Sequence, residues 1–239
     1  MISFEHIMLK VQERTLFIDA SLQIFPGEKV VVRGPSGCGK SSLLKCAVGA
    51  LPAAEGIIRI DGTELKSATV AGIRSRIAYI GQEPVLGADR VRDALLLPFT
   101  FKTHRDRAPA EERISRTLDQ LHLSSDILDK ACKRISGGEK QRIAVARALL
   151  LDKCIFLVDE VTSALDPRSR DAVMAELFQP EITLLSVSHD PEWINACDRI
   201  VEIKNRQLQE TVADFTPPGG TGTGNQKPEI NNADNGGAP

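Results

Sequence analysis

Eight consecutive residues, Gly34, Pro35, Ser36, Gly37, Cys38, Gly39, Lys40 and Ser41, fill every required position of the pattern G-x-x-x-x-G-K-[ST]. The chemistry open to such a run is phosphate binding. Its glycines let the chain curl until successive backbone N–H groups converge on one anion. A helix opening at Lys40 adds the positive end of its dipole. Lys40 is expected to reach the β and γ phosphates of a nucleotide, and the Ser41 hydroxyl to coordinate Mg²⁺. Ser42, in the same helical turn, joins the nucleotide-binding set.

A second site is acidic. The apolar run Ile155-Phe156-Leu157-Val158 ends in Asp159 and Glu160. A strand buried on both faces would deliver both carboxylates to its C-terminal end, where ligands bind in parallel sheets. Asp159 suits the Mg²⁺ shell. Glu160 is adjacent but points elsewhere, and is placed to polarise an attacking water. Together the two sites define a P-loop nucleotide hydrolase and leave its kind open.

A third segment, Ser136-Gly137-Gly138-Glu139, precedes a helical pattern and makes a second anion-binding N-terminus. One nucleotide needs only one such cradle, and the loop at Gly34 to Ser41 already supplies it. The economical explanation is that the second cradle serves the γ-phosphate of a nucleotide held by another copy of the chain.

These residues need elements to hold them. Alternation at Ile2, Phe4, Ile7 and Leu9 predicts a half-buried strand, and Ser21 to Phe25 a second, closed by the turn dipeptide Pro26-Gly27. Val30 to Val32 predicts a buried strand ahead of the phosphate loop, and Leu43, Leu44, Ala47 and Val48 predict a helix over Lys40 to Ala50. Ile57 to Ile60 followed by Asp61-Gly62 suggests a hairpin edge. Between Pro84 and Leu151 helical patterns dominate, as at Ile114, Leu118 and Leu121, and at Ile143, Ala146 and Leu150. Buried strands return at Cys154 to Val158, Ile182 to Val187 and Ile200 to Ile203, with a helix between the first two capped by Asp166 and opened by Pro167. The outline is an α/β core interrupted by an all-helical insertion.

With these motifs in this order, the sequence resembles an ABC (ATP-binding cassette) ATPase over roughly residues 1–210. The resemblance implies a P-loop NTPase (RecA-like) α/β core with an antiparallel β subdomain, from residues 1–83 and 152–212, and an inserted helical subdomain at 84–151. Ser136 to Gln141 is similar to the family's signature segment, with Ile135 where leucine is usual. By the same resemblance, Gln82 links Mg²⁺ and the water to the helical subdomain. Ser163-Ala164-Leu165-Asp166 crosses a dimer interface, which adds Asp166 to the nucleotide set. His189 contacts the γ-phosphate and orients the water with Glu160. The implied catalytic set is Lys40, Gln82, Glu160 and His189, and the implied metal set is Ser41, Gln82 and Asp159. ATP and Mg²⁺ are the cofactors. The partners are a second copy, closing around two ATP, and a separate transmembrane permease subunit, which places the chain on the cytoplasmic face of the cell (inner) membrane. Within the family the resemblance is nearest to small ATPase subunits of metal-export systems, including bacterial iron exporters and plant aluminium-resistance transporters. It rests on Gly81 to Leu86 with Leu97-Pro98-Phe99, and implies iron export. The rival is a cassette that does mechanical or regulatory work on a membrane scaffold. Two departures stand out: Val11 occupies the place of an adenine-stacking aromatic, and Gly87 and Arg90 replace the usual Phe and Ser or Thr.

Composition narrows the classes further. Lys and Arg total 30 against 32 Asp and Glu, so there is no basic excess of the kind a nucleic-acid binder shows. Five scattered cysteines without C-x-x-C spacing read as incidental thiols of a reducing cytosol. No run approaches the roughly 20 apolar residues that span a bilayer, and the N-terminus lacks a signal-peptide pattern. From Thr216 to Pro239 the composition collapses to Gly, Pro and Asn, with Ile230 the only large aliphatic. A disordered tail over 213–239 is expected.

Overall fold

Strand periodicity explains how one sheet holds two cores. The structure, a computed structural model, describes residues 1–211; the tail expected to be disordered lies outside them. Strands β3 (Lys29–Arg33), β6 (Ile77–Ile80), β7 (Ile155–Asp159), β8 (Thr183–Val187), β9 (Arg199–Lys204) and β10 (Gln207–Thr211) form a six-stranded sheet in the order β10-β9-β3-β8-β7-β6. All pairs are parallel except the β9–β10 edge. Successive side chains leave opposite faces. Val31, Ala78, Ile80, Phe156, Val158 and Leu184 therefore enter one core, and Val30, Val32, Ile77, Ile155, Leu157, Leu185 and Val187 the other.

The second core is closed by an antiparallel sheet. Strands β1 (Ile2–Val11), β2 (Arg14–Ile24), β4 (Glu55–Ile60) and β5 (Thr63–Glu64) pair in the order β2-β1-β4-β5. Their inward residues, among them Ile2, Phe4, Phe17, Ile24 and Ile60, meet helix α1 (Lys40–Ala47). Strand β2 is longer than Ser21 to Phe25 because register shifts in its ladder with β1 carry the pairing back to Arg14. Helix α1 stops three residues short of the expected Ala50. Gly49 takes φ 64, and its N–H and that of Ala50 turn back onto the carbonyls of Cys46 and Lys45. Helix α2 (Val70–Arg74) leads into β6.

The first core is closed by helices. Between β6 and β7 lie α3 (Val91–Leu96), α4 (Glu111–Gln120) and α5 (Gly137–Leu149), joined by short 3₁₀ turns. Ile114 and Leu118 of α4, and Ile143 and Val145 of α5, are fully enclosed with Val91 and Leu95 of α3. The same core takes in α6 (Pro167–Leu177) and α7 (Pro191–Ala196). Among the described residues no helix is long and apolar enough to cross a membrane.

Trp193 of α7 is 1% exposed, stands edge-on to Phe178 at 5.0 Å, and its indole N–H donates to Ser186 Oγ at 2.9 Å. Ser186 in turn donates to the Val30 carbonyl. The expected result of Trp193→Ala is a loss of about 3–5 kcal/mol of stability, read as a lower denaturation midpoint at unchanged m-value. A wild-type midpoint would show that α7 is not anchored through this ring.

Candidate functional site

Parallel strands bring four sequence-distant segments to one edge. The phosphate loop follows β3, His189 follows β8, Asp159 ends β7 and Glu160 follows it, and Gln82 follows β6. Since β3, β8, β7 and β6 are consecutive neighbours, these segments line up along the C-terminal edge of the sheet, where ligands bind in folds of this kind.

The loop from Gly34 curls as its glycines allow. Gly39 takes φ 113 at the start of α1, and a Cβ there would lie 3.1 Å from the Phe17 ring, so only glycine fits. Lys40 is 7% exposed, and its Nζ donates to the Gly34 carbonyl at 2.9 Å and to that of Pro35 at 3.2 Å. The ammonium thus sits within the curl of the loop, where a phosphate would meet it.

Asp159 is 3% exposed, and its Oδ1 has no hydrogen-bond partner. Burial pushes its carboxyl above the ordinary aspartate range, against the opposing pull of the Ser41 hydroxyl and of Lys45 and Lys40. An unsatisfied buried carboxylate oxygen beside a hydroxyl is a donor set for a hard cation. Mg²⁺ takes one or two protein oxygens and completes its shell with phosphate and water, so these residues fit it. Gln82 makes no hydrogen bond to either of them among the described residues. Its Nε2 donates instead to Glu160 Oε2 at 3.1 Å.

Glu160 carries the clearest strain in the site. Its φ is 48, a left-handed conformation uncommon outside glycine and costing roughly 1–3 kcal/mol. Three hydrogen bonds hold it: its N–H donates to the Val187 carbonyl at 2.9 Å, and Ser163 donates to its carbonyl from Oγ at 3.0 Å and from N–H at 3.3 Å. Glu160 Oε1 faces His189 Nε2 at 3.7 Å, so the carboxylate is flanked by Gln82 on one side and His189 on the other. His189 itself is held in a turn in which Asp190 N–H donates to Ser188 Oγ and Asp190 caps α7.

The Ser136 segment stands apart. It makes no hydrogen bond or ion pair to the phosphate loop, Asp159 or Glu160 among the described residues. Ser136 caps α5 in a reciprocal box: Glu139 N–H donates to Ser136 Oγ at 3.1 Å, and Ser136 N–H to Glu139 Oε2 at 2.7 Å. That backbone hydrogen bond holds the Glu139 carboxyl below its ordinary range. The N–H groups of Gly137 and Gly138 have no acceptor among the described residues, and the space beside Gly137 is open. They remain available to an anion arriving from outside. Beside them, a Cβ on Gly138 would lie 3.1 Å from the Ala164 carbonyl, so the segment Ser163 to Asp166 packs against this helix start. Asp166 caps α6, accepting from Ser169 N–H at 3.1 Å.

Sequence reasoning gave no role to Arg147. From α5 its guanidinium donates to the carbonyls of Val85 (3.1 Å), Leu86 (3.0 Å) and Ala94 (3.4 Å). It fastens the stretch following Gln82 to the helix that Ser136 caps. A single arginine in a helical pattern carries no signal of this, since its acceptors are backbone carbonyls more than fifty residues away.

Comparison with known proteins agrees with the geometry. Residues 17–163 match the family model described as ABC transporter. The chain is 38% identical over 178 residues to the glutamate/aspartate import ATP-binding protein GltL of Escherichia coli (strain K12), covering 72% of this chain and 73% of that protein. It is 33% identical over 182 residues to the probable iron export ATP-binding protein FetA of the same strain, covering 74% and 80%. Among solved structures, a dimeric ATP-binding cassette in a post-hydrolysis state with ADP and Pi superposes with a TM-score of 0.79 at 27% identity, over 88% of this chain and 98% of that one. A shared fold, a shared family model and relatives above 30% identity give one conclusion: the chain belongs to the ABC transporter family, as an ATP-binding cassette ATPase.

Proposed function

We propose that this cassette hydrolyses ATP in a head-to-tail pair of copies and transmits the result to a separate transmembrane subunit. Each ATP lies between the Gly34 to Ser41 loop of one copy and the Ser136 to Glu139 segment of the other. Lys40 and the free N–H groups of Gly137 and Gly138 meet the charge of the transferring phosphoryl group from opposite sides. Ser41 and Asp159 would hold Mg²⁺, which would supply positive charge against the phosphate oxygens. Glu160 takes the proton of the attacking water, with His189 and Gln82 fixing its carboxylate and His189 directed to the γ-phosphate. Asp166 belongs to the loop that meets the second copy.

The observation that carries the transport reading is the Gln82–Glu160 hydrogen bond. Gln82 and Glu83 immediately precede the segment Pro84 to Arg90. That segment, with Ala131, Cys132, Lys133 and Lys140, lines an open groove of about 610 Å³, at whose side Val85 stands 77% exposed. The water-activating carboxylate is thus linked through Gln82, two residues ahead of Pro84, to a surface groove, and Arg147 ties the same groove to the helix that receives the second ATP. A partner seated there feels both events. Residues 1–83 and 152–212 then act as the nucleotide-binding body and 84–151 as the docking body, on the cytoplasmic face of the cell membrane. Iron or another metal ion as the exported cargo is supported by the segments Gly81 to Leu86 and Leu97 to Phe99 and by the likeness to FetA. The similar likeness to GltL, named for glutamate/aspartate import, does not support a metal cargo.

Affinity purification of the chain from detergent-solubilised membranes of its source cells tests this. A stoichiometric polytopic partner is expected. Recovery of only soluble or single-span scaffold proteins would overturn the transport reading in favour of a mechanical or regulatory cassette.

A further inference from the structure

The hairpin joining β1 and β2 overhangs the phosphate loop, and its residues there are unusual for a nucleotide site. Val11 is half-buried and packs into the core of the antiparallel sheet. Phe17, the aromatic nearest the loop, is 0% exposed and lies beneath Gly39. Leu16 is buried beside it. No aromatic face of this hairpin is therefore presented to a base. What the hairpin does present is Arg14, paired in register with Val11 across the turn. Its Nη1 lies 3.7 Å from where a Cβ on Gly37 would stand, so the guanidinium rests against the phosphate loop. The side chain is exposed and makes no hydrogen bond or ion pair among the described residues.

An unpaired guanidinium beside a ring of backbone N–H groups adds to the same field. It also brings what the loop lacks, a planar fork matched to two phosphate oxygens. We propose that Arg14 binds the triphosphate chain of the nucleotide. Recognition then runs through phosphate charge, where a stacking ring would have read the base, and the cassette accepts nucleoside triphosphates with little regard to base. The assignment rests on the phosphate-loop reading above.

The test measures the binding of ATP, CTP and inorganic tripolyphosphate, each with Mg²⁺, to the wild-type chain, to Arg14→Ala and to Lys40→Ala. The wild type should bind ATP and CTP with similar affinity. Arg14→Ala should weaken all three probes by the same factor, about tenfold for the loss of a charge-assisted hydrogen-bonding group, at an unchanged Tm without nucleotide. A loss confined to ATP would overturn the proposal and make Arg14 a base-stacking residue. Unchanged binding in Arg14→Ala, with binding lost in Lys40→Ala, would overturn it and leave the phosphate-loop reading standing. Unchanged binding in Lys40→Ala would remove the phosphate-loop reading and this proposal together.

Discussion

Replacing Glu160 with Gln is expected to lower ATP turnover by about 100- to 10,000-fold, the range over which a positioned general base contributes. The substitution keeps the shape of the side chain, so Gln82 retains a hydrogen-bonding partner and the turn at φ 48 is no more strained than before. What disappears is the ability to accept a proton. A negative charge near the γ-phosphate disappears with it, so ATP binding should survive or tighten. The expected readouts are near-absent phosphate release and an ATP-dependent dimer on size-exclusion chromatography. Turnover at the wild-type rate would remove Glu160 from its role and pass it to another group. His189, whose Nε2 lies 3.7 Å from Glu160 Oε1, would be the first candidate.

Lys40→Ala should act on binding before chemistry. The ammonium is almost wholly enclosed and spans the carbonyls of Gly34 and Pro35. Removing it takes away the cation proposed to meet the β and γ phosphates and leaves those two carbonyls without their donor. Truncating one member of a buried, charge-assisted pair costs about 2–5 kcal/mol, or about 30- to 5,000-fold in affinity. Helix α1 should tolerate the change, since Ala is the strongest helix former. Calorimetric titration with ATP checks this directly. Affinity equal to wild type would contradict the cradle geometry.

These two variants separate the halves of the mechanism. One is expected to hold ATP without cleaving it, and the other to fail to hold it. The groove beside Gln82 should be sensitive to both. The Gln82–Glu160 bond joins it to the carboxylate, and Arg147 joins it to α5.

Much of this chain could be read from its residues alone, for a physical reason. The phosphate loop is a local structure: glycine backbone freedom, one lysine and one hydroxyl within eight residues suffice to specify it. The apolar runs at Val30 to Val32 and Ile155 to Val158 have no solvated face, so they belong to a sheet covered on both sides, and the carboxylates ending the second run belong at its C-terminal edge. Ser136 with Glu139, and Asp166 with Pro167, encode helix starts in the same local way. Tertiary structure decided what depends on neighbours far along the chain. The left-handed turn at Glu160 exists because Val187 and Ser163 hold it, and neither is visible from Glu160 itself. Gln82 proved to touch Glu160 because β6 and β7 are adjacent strands, a fact of strand order. Arg147 acquired its position through backbone carbonyls, which have no residue signature. Arg14 came to lie on the phosphate loop because the antiparallel sheet packs against α1 through Phe17 and Gly39, a contact between surfaces that no spacing in the sequence encodes.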